Sequence, residues 1–230
     1  MADAGFDFQK FIADTKDVLT SPKSYFASMQ KTGGFVDPIV RAAIYGVIAG
    51  VLSFMWGLLS FRAFGAFGAG VGFTAIILSP IFAVIGLFIG GIIILIISAI
   101  SGGSTDFETN VRVSASLMVL YPIQMLLMFT YGINFFLGAV VVLLVSLYGI
   151  WLFFNALVHA LSAKESIAKV IVIILAIFPV LGIINTIACH SAYTNLSNQM
   201  MQGTKDQEEA MKQANKIIEM MKKQQQQQQQ

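Results

Sequence analysis

An all-α bundle of five membrane-spanning helices, preceded by amphipathic helices, is the fold class that this chain predicts. Two observations carry that expectation. Apolar stretches run approximately Ile39–Phe61, Val71–Ile100, Val113–Tyr131, Ile133–Leu161 and Ala168–Cys189. Each is near or above the ~20 apolar residues that cross a hydrocarbon core. Charge is almost confined to the gaps and the two ends, with 57% of the residues hydrophobic and 11% charged, against about 25% charged in soluble domains. A helix satisfies its own backbone where no water can, so these runs read as spanning helices.

The chain accordingly divides into residues 1–38, cytoplasmic or interfacial helices; 39–190, the membrane bundle; and 191–230, a polar tail. Orientation follows from the basic residues. With the N-terminus inside, Lys10, Lys16, Lys23, Lys31, Arg41, Arg112, Lys164 and Lys169 all face the cytoplasm. The far side then keeps Arg62 close to the membrane, while the lysines of the tail lie at or beyond the zone where positive charge sets topology. An odd number of spans puts the C-terminus outside.

In the N-terminal segment, Phe8, Phe11, Ile12 and Leu19 recur at helical spacing among Lys and Asp residues. Ser21-Pro22 restarts the chain, Ser suiting an N-cap and Pro the first helical position. Tyr25, Phe26 and Met29 form one apolar face of the new turn. These helices read as lipid-facing anchors lying in the interface, ahead of the alternative of a cytoplasmic docking surface.

The first span carries a stripe of small residues, Ala42, Gly46 and Gly50, and the second carries Ala83, Gly86, Gly90 and Gly91. Such stripes let helix backbones approach closely in lipid, where packing rather than water exclusion holds helices together. The same stripe serves contacts within one chain or between copies, so a homo-oligomer or another membrane protein is a possible partner. The second span is too long for the core, and residues 65–78, rich in Gly, read as an outer-face loop or a partial re-entry. Pro80, Pro122 and Pro179 are expected to kink the second, third and fifth spans, since proline cannot donate to the carbonyl four residues back. In the tail, Ala210, Ala214, Ile217 and Met221 repeat as a two-heptad fragment. The tail is expected to be partly helical, with the Gln224–Gln230 run disordered.

Chemistry at depth would have to come from polar side chains, and no Asp or Glu falls inside a predicted span. Ion-coupled pumps usually place a titratable carboxylate there. Asn155 and His159, one turn apart on the fourth helix, form with Gln124 the candidate polar membrane patch, read first as interhelical hydrogen bonding and second as a substrate or proton-sensing site. No catalytic motif, phosphate loop or metal-ligand pattern is present, so no catalytic residue, cofactor or metal site is assigned. The net charge of +2 is too small to imply nucleic-acid binding. The loop Gly102–Arg112 reads as a helix connection: Gly102-Gly103 stops the second span, Asp106 or Thr105 caps the third, and Glu108 pairs with Arg112.

Three segments, in order, carry a resemblance to a known family. They are Ser21-Pro22-Lys23-Ser24-Tyr25-Phe26; Ser101-Gly102-Gly103-Ser104-Thr105-Asp106-Phe107-Glu108 with Tyr121-Pro122; and Trp151 through Ser162-Ala163-Lys164-Glu165-Ser166-Ile167-Ala168. The chain resembles the Yip family of Ypt-interacting proteins, especially its bacterial branch, over residues 15–190. The resemblance implies five spans, a cytosolic N-terminus and a bacterial inner membrane. Eukaryotic members are associated with small-GTPase binding, but this chain lacks their long cytosolic N-terminal region, so small-GTPase binding is not carried over. The expected function is a non-enzymatic membrane-organising, trafficking or adaptor role in contact with membrane lipids. The alternative is a transporter, channel or lipid-translocating protein.

Overall fold

The computed structural model describes residues 6–59 and 68–227. The protein is 87% helical, with no strand among the described residues. It divides into two compact units, Met1–Ile183 and Ile184–Gln230. Five helical segments are long and apolar enough to cross a membrane: Val36–Leu58, Thr74–Ile100, Phe107–Ile133, Phe135–Ala160 and Glu165–Gln199. The chain is an integral, multi-pass membrane protein.

The first unit opens with α1 (Phe8–Thr20), whose N-cap Asp7 accepts from the Lys10 amide at 3.0 Å. Helix α2 (Pro22–Ser28) starts on Pro22 at its first position, where a missing N–H costs no helical bond. The N-terminal helices turn most of their aromatic surface onto the bundle rather than toward lipid. Phe11, Val18, Tyr25 and Phe26 are buried, while Phe8 and Ile12 are exposed. The reason is polar as well as apolar: the Thr15 and Tyr45 hydroxyls bond at 2.7 Å, the Tyr25 and Ser116 hydroxyls at 2.8 Å, and the Tyr148 hydroxyl donates to the Leu19 carbonyl.

Helices α3 (Val36–Leu58) and α4 (Gly68–Ile100) pack as a pair. The helix of α4 already begins at Gly68, so the Gly-rich segment expected as a loop or re-entry is helical from there; Arg62, Gly65 and Phe67 lie outside the described residues. Helix runs through Pro80 without interruption. A Cβ on Gly46 would stand 2.5 Å from the Pro80 Cα and one on Gly50 2.9 Å from the Ile76 Cα. Only the absence of a side chain permits that approach.

The third span begins at Phe107, six residues ahead of the apolar run, because its first turns bury polar residues together with Val111, Val113 and Ala115: Thr109, Asn110, Arg112, Ser114 and Ser116 are all buried. It is built of α5 (Phe107–Leu117), α6 (Leu120–Leu127) and α7 (Phe129–Ile133). The first break falls where Pro122 cannot donate to Met118. The Met118 carbonyl instead accepts from the Tyr121 amide at 3.0 Å, a tighter turn. Asn134 then caps α8 (Phe135–Asn155), accepting from the Phe136 and Leu137 amides at 2.8 and 3.2 Å.

Helix α8 ends in a wider π turn, Ala156–Ala160, followed by Ser162 at a φ of 56°. Two backbone bonds stitch this exit to that of α4: the Ser104 amide donates to the Leu161 carbonyl at 2.7 Å and the Lys164 amide to the Ser101 carbonyl at 2.9 Å. Gly102, at a φ of 69°, supplies the left-handed turn that ends α4. Helix α9 (Glu165–Gln227) follows and includes Pro179 without interruption. Its Ala168 is buried and Val172 and Leu175 pack against the core, while Val170, Ile173 and Phe178 are exposed. In the second unit, residues 184–227 are helical, and Gln228–Gln230 lie outside the described residues.

Candidate functional site

Two arginines on different spans organise the polar end of the bundle. Arg41 lies five residues into α3 and Arg112 five residues into α5, and each follows an acidic residue by one helical turn, Asp37 and Glu108. Both are buried, at 5% and 6% exposure. Arg41 Nε donates to both Asp37 oxygens at 3.0 Å, and its Nη2 donates to Asp14 of α1 at 2.6 Å. Arg112 Nε donates to Glu108 at 3.0 Å, Nη2 donates to the Gly34 carbonyl at 2.7 Å, and Nη1 stands 3.6 Å from Asp37. Asp37 therefore links the two cations. The loop before α3 joins in, with the Gly34 amide donating to Glu108 at 2.6 Å.

Each buried cation meets carboxylates from its own helix and from a neighbour, which compensates part of the cost of removing it from water. The Phe11 ring adds a face 5.9 Å from the Arg41 guanidinium. Beside the network lies a cavity of about 430 Å³, walled by α1, α2, α3 and α5 and lined by Arg41, Arg112, Asp37, Tyr25 and Ser116 among others. Burial pushes the Tyr25 phenol up to about 12, against a smaller lowering by its bond to Ser116. At the start of α5, Asp106 is the cap, accepting from the Thr109 amide at 2.8 Å and hydroxyl at 2.5 Å. Both bonds hold its carboxyl below the usual range, the hydroxyl bond first. Asp106 thus serves the helix terminus, while Arg112 pairs with Glu108 and Asp37.

The candidate patch is dispersed. Asn155 is buried and donates to the Trp151 carbonyl of its own helix at 2.9 Å. His159, half-buried in the π turn, lines a shallow apolar recess with Trp151, Pro22 and Ala27. Gln124 sits half-buried on α6, and among the described residues no hydrogen bond joins it to Asn155 or His159. Of the small residues, Ala42 is fully buried, and Gly46 and Gly50 face α4. Gly90 faces Ser114, whose Oγ would stand 2.5 Å from an added Cβ, whereas Gly86 meets nothing within 4 Å.

Sequence reasoning used Arg41 only as a topology marker and did not join it to Asp14 or Asp37. A signal was present: an acidic residue followed four later by Arg, at Asp37/Arg41 and Glu108/Arg112, near the start of two spans that enter from the same side.

No curated protein and no solved structure matches the chain. A family model, Yip1 domain, matches residues 16–189, which takes in the end of α1, α2, both arginines with Asp37 and Glu108, and the spans through most of the fifth, while Asp14 lies ahead of it. By that match the chain belongs to the Yip1 domain family.

Proposed function

We propose that this protein is a non-enzymatic membrane organiser or adaptor of the bacterial inner membrane, with its N-terminus cytoplasmic and its C-terminus outside. The observation that carries the reading is the ion-paired cap: Asp14 of α1 and the Tyr25 hydroxyl of α2 bind side chains of α3 and α5. A cap fixed in this way presents a preformed surface beside the membrane, and a preformed surface binds a partner with little ordering cost. Lys10, Lys16, Lys23 and Lys31 on and after it fit the cytoplasmic face by the positive-inside bias.

Cross-linking in native lipids, followed by purification and mass spectrometry, tests the role. A reproducible protein partner whose cross-links map to α1 or α2 supports the adaptor. Reporter fusions at Gly103, Lys164 and the C-terminus test the orientation, and termini on one side would defeat it. The polar cavity favours a second reading, a lipid-translocating or transport protein. Reconstituted vesicles assayed for lipid flipping and ion flux separate the two, and transport lost in Arg112→Lys, which changes a residue lining that cavity, would replace the adaptor reading.

A further inference from the structure

We propose that the cavity between α1, α2, α3 and α5 binds a zwitterion that joins a phosphate to an ammonium group, the chemistry of an ethanolamine-phosphate headgroup. The inference stands apart from the adaptor reading and does not rest on it.

The argument begins with donors. A guanidinium carries five N–H groups and no acceptor. The Arg41 and Arg112 side chains are 7% and 6% exposed, and neither Nη1 is a fully buried orphan, since among the described residues that is Asn110 Oδ1 alone. Their spare N–H groups are reached from the cavity that both residues line. Arg41 uses Nε and Nη2 on Asp37 and Asp14, and among the described residues its Nη1 takes no acceptor. Arg112 Nη1 has only the Asp37 oxygen at 3.6 Å, beyond hydrogen-bond length. Both residues line the same cavity. Two planar cations with donors to spare suit the oxygens of a phosphate.

Charge balance then selects the rest of the ligand. The ionic groups lining the cavity are Lys10, Arg41 and Arg112 against Asp14, Asp17 and Asp37, a neutral wall in which a bare phosphate meets three carboxylates. A ligand that carries its own ammonium group meets one of them favourably. Asp17 is the carboxylate for that role, because it is exposed and forms no ion pair among the described residues. Asp14 and Asp37 are already engaged by Arg41. The size also fits, since small-molecule sites run from about 300 to 1,000 Å³ and this one is about 430 Å³. Each arginine lies five residues into its span, roughly 7 Å along the axis at 1.5 Å per residue, so a leaflet headgroup and a dissolved headgroup are both possible sources.

The test uses the full chain in nanodiscs containing equal phosphatidylethanolamine and phosphatidylglycerol, with retained lipid read by native mass spectrometry. Calorimetric titrations with glycerophosphoethanolamine and with inorganic phosphate run alongside. The native chain should retain the ethanolamine lipid by roughly tenfold over the glycerol lipid, an energy difference of about 1.4 kcal/mol. Asp17→Asn should abolish most of that preference and leave the melting temperature unchanged. Arg41→Lys, which keeps the charge and loses the planar fork, should weaken retention of both lipids. Tight binding of glycerophosphoethanolamine identifies the dissolved headgroup as the source, and retention of the lipid alone identifies the leaflet; either supports the site. Equal retention of the two lipids, phosphate bound as tightly as glycerophosphoethanolamine, a preference that survives Asp17→Asn, or no binding at all would each overturn it.

Discussion

The seam between α3 and α4 and the polar end where α1 and α2 meet α3 and α5 hold helices together by opposite means, though both begin on the same helix. At the seam, Gly46 and Gly50 bring backbone onto backbone near Pro80 and Ile76. At the polar end, five residues before Gly46, Arg41 reaches across to Asp14. Within the hydrocarbon there is little hydrophobic force between helices, so the seam depends on close dispersion contact. At the polar end water competes with the ion pairs, so burial and geometry decide their strength. A small side chain is the critical feature of the first region and a long one of the second.

The largest expected effect strikes the ionic region. Arg41→Leu removes the cation that Asp14 and Asp37 share, leaving Asp14 only Lys10 at 4.0 Å and Asp37 only Arg112 at 3.6 Å, and loss of one partner of a buried pair costs about 3–5 kcal/mol. The low end is expected because Asp37 is 36% exposed and keeps part of its hydration. Thermal unfolding in mild detergent, followed by tryptophan fluorescence, measures it. A loss under ~1 kcal/mol would place the network with ordinary surface pairs.

The seam should break next. Gly46→Ala puts a methyl where the nearest atom is the Pro80 Cα, and overpacking of this kind costs about 1–3 kcal/mol. Gly86→Ala is the matched control, since a Cβ there meets nothing within 4 Å, and its melting temperature should equal that of the native chain. Equal losses in the two variants would remove the seam from the comparison.

The smallest effect sharpens the boundary between cap and bundle. Tyr25→Phe removes one buried hydroxyl bond at a cost of about 1 kcal/mol, and Ser116 keeps its own bond to the Arg112 carbonyl at 3.0 Å. The same residue predicts a pH dependence. Its phenol is raised from 10.0 to about 12 in the folded state, so the unfolded chain loses that proton first. Its contribution is complete below pH 10 and disappears as pH rises from 10 to about 12. Over that window the native chain should lose more stability than Tyr25→Phe, in a pair of denaturation series.

The spans were legible because hydropathy integrates over some twenty residues and tolerates errors at single positions. Gly102 and Asp106 were legible because caps act within one turn. The Asp14–Arg41 and Asp37–Arg112 contacts were not, because they join residues remote in the chain, and only the fold brings α1 and α5 to the same end of α3. The start of α5 was missed for a related reason: its polar residues are buried against protein, so they look like loop to a scale that measures only affinity for lipid. Asn155 and His159 are one turn apart on any helix, but their spacing does not reveal that Asn155 turns back onto its own backbone.

The stitch between the exits of α4 and α8 has an evolutionary consequence. Ser104 to Leu161 and Lys164 to Ser101 are bonds between peptide groups, so replacing one side chain for another leaves the bonded atoms in place. Inserting or deleting one residue between Ser101 and Ser104, or between Leu161 and Lys164, moves the donors and acceptors out of register. Relatives sharing this turn should therefore hold its length fixed and keep glycine at Gly102, for its left-handed φ, and at Gly103, where a Cβ would stand 2.8 Å from the Leu161 carbonyl, while its other letters drift. A gap in an alignment there would mark a chain whose α4 and α8 end differently.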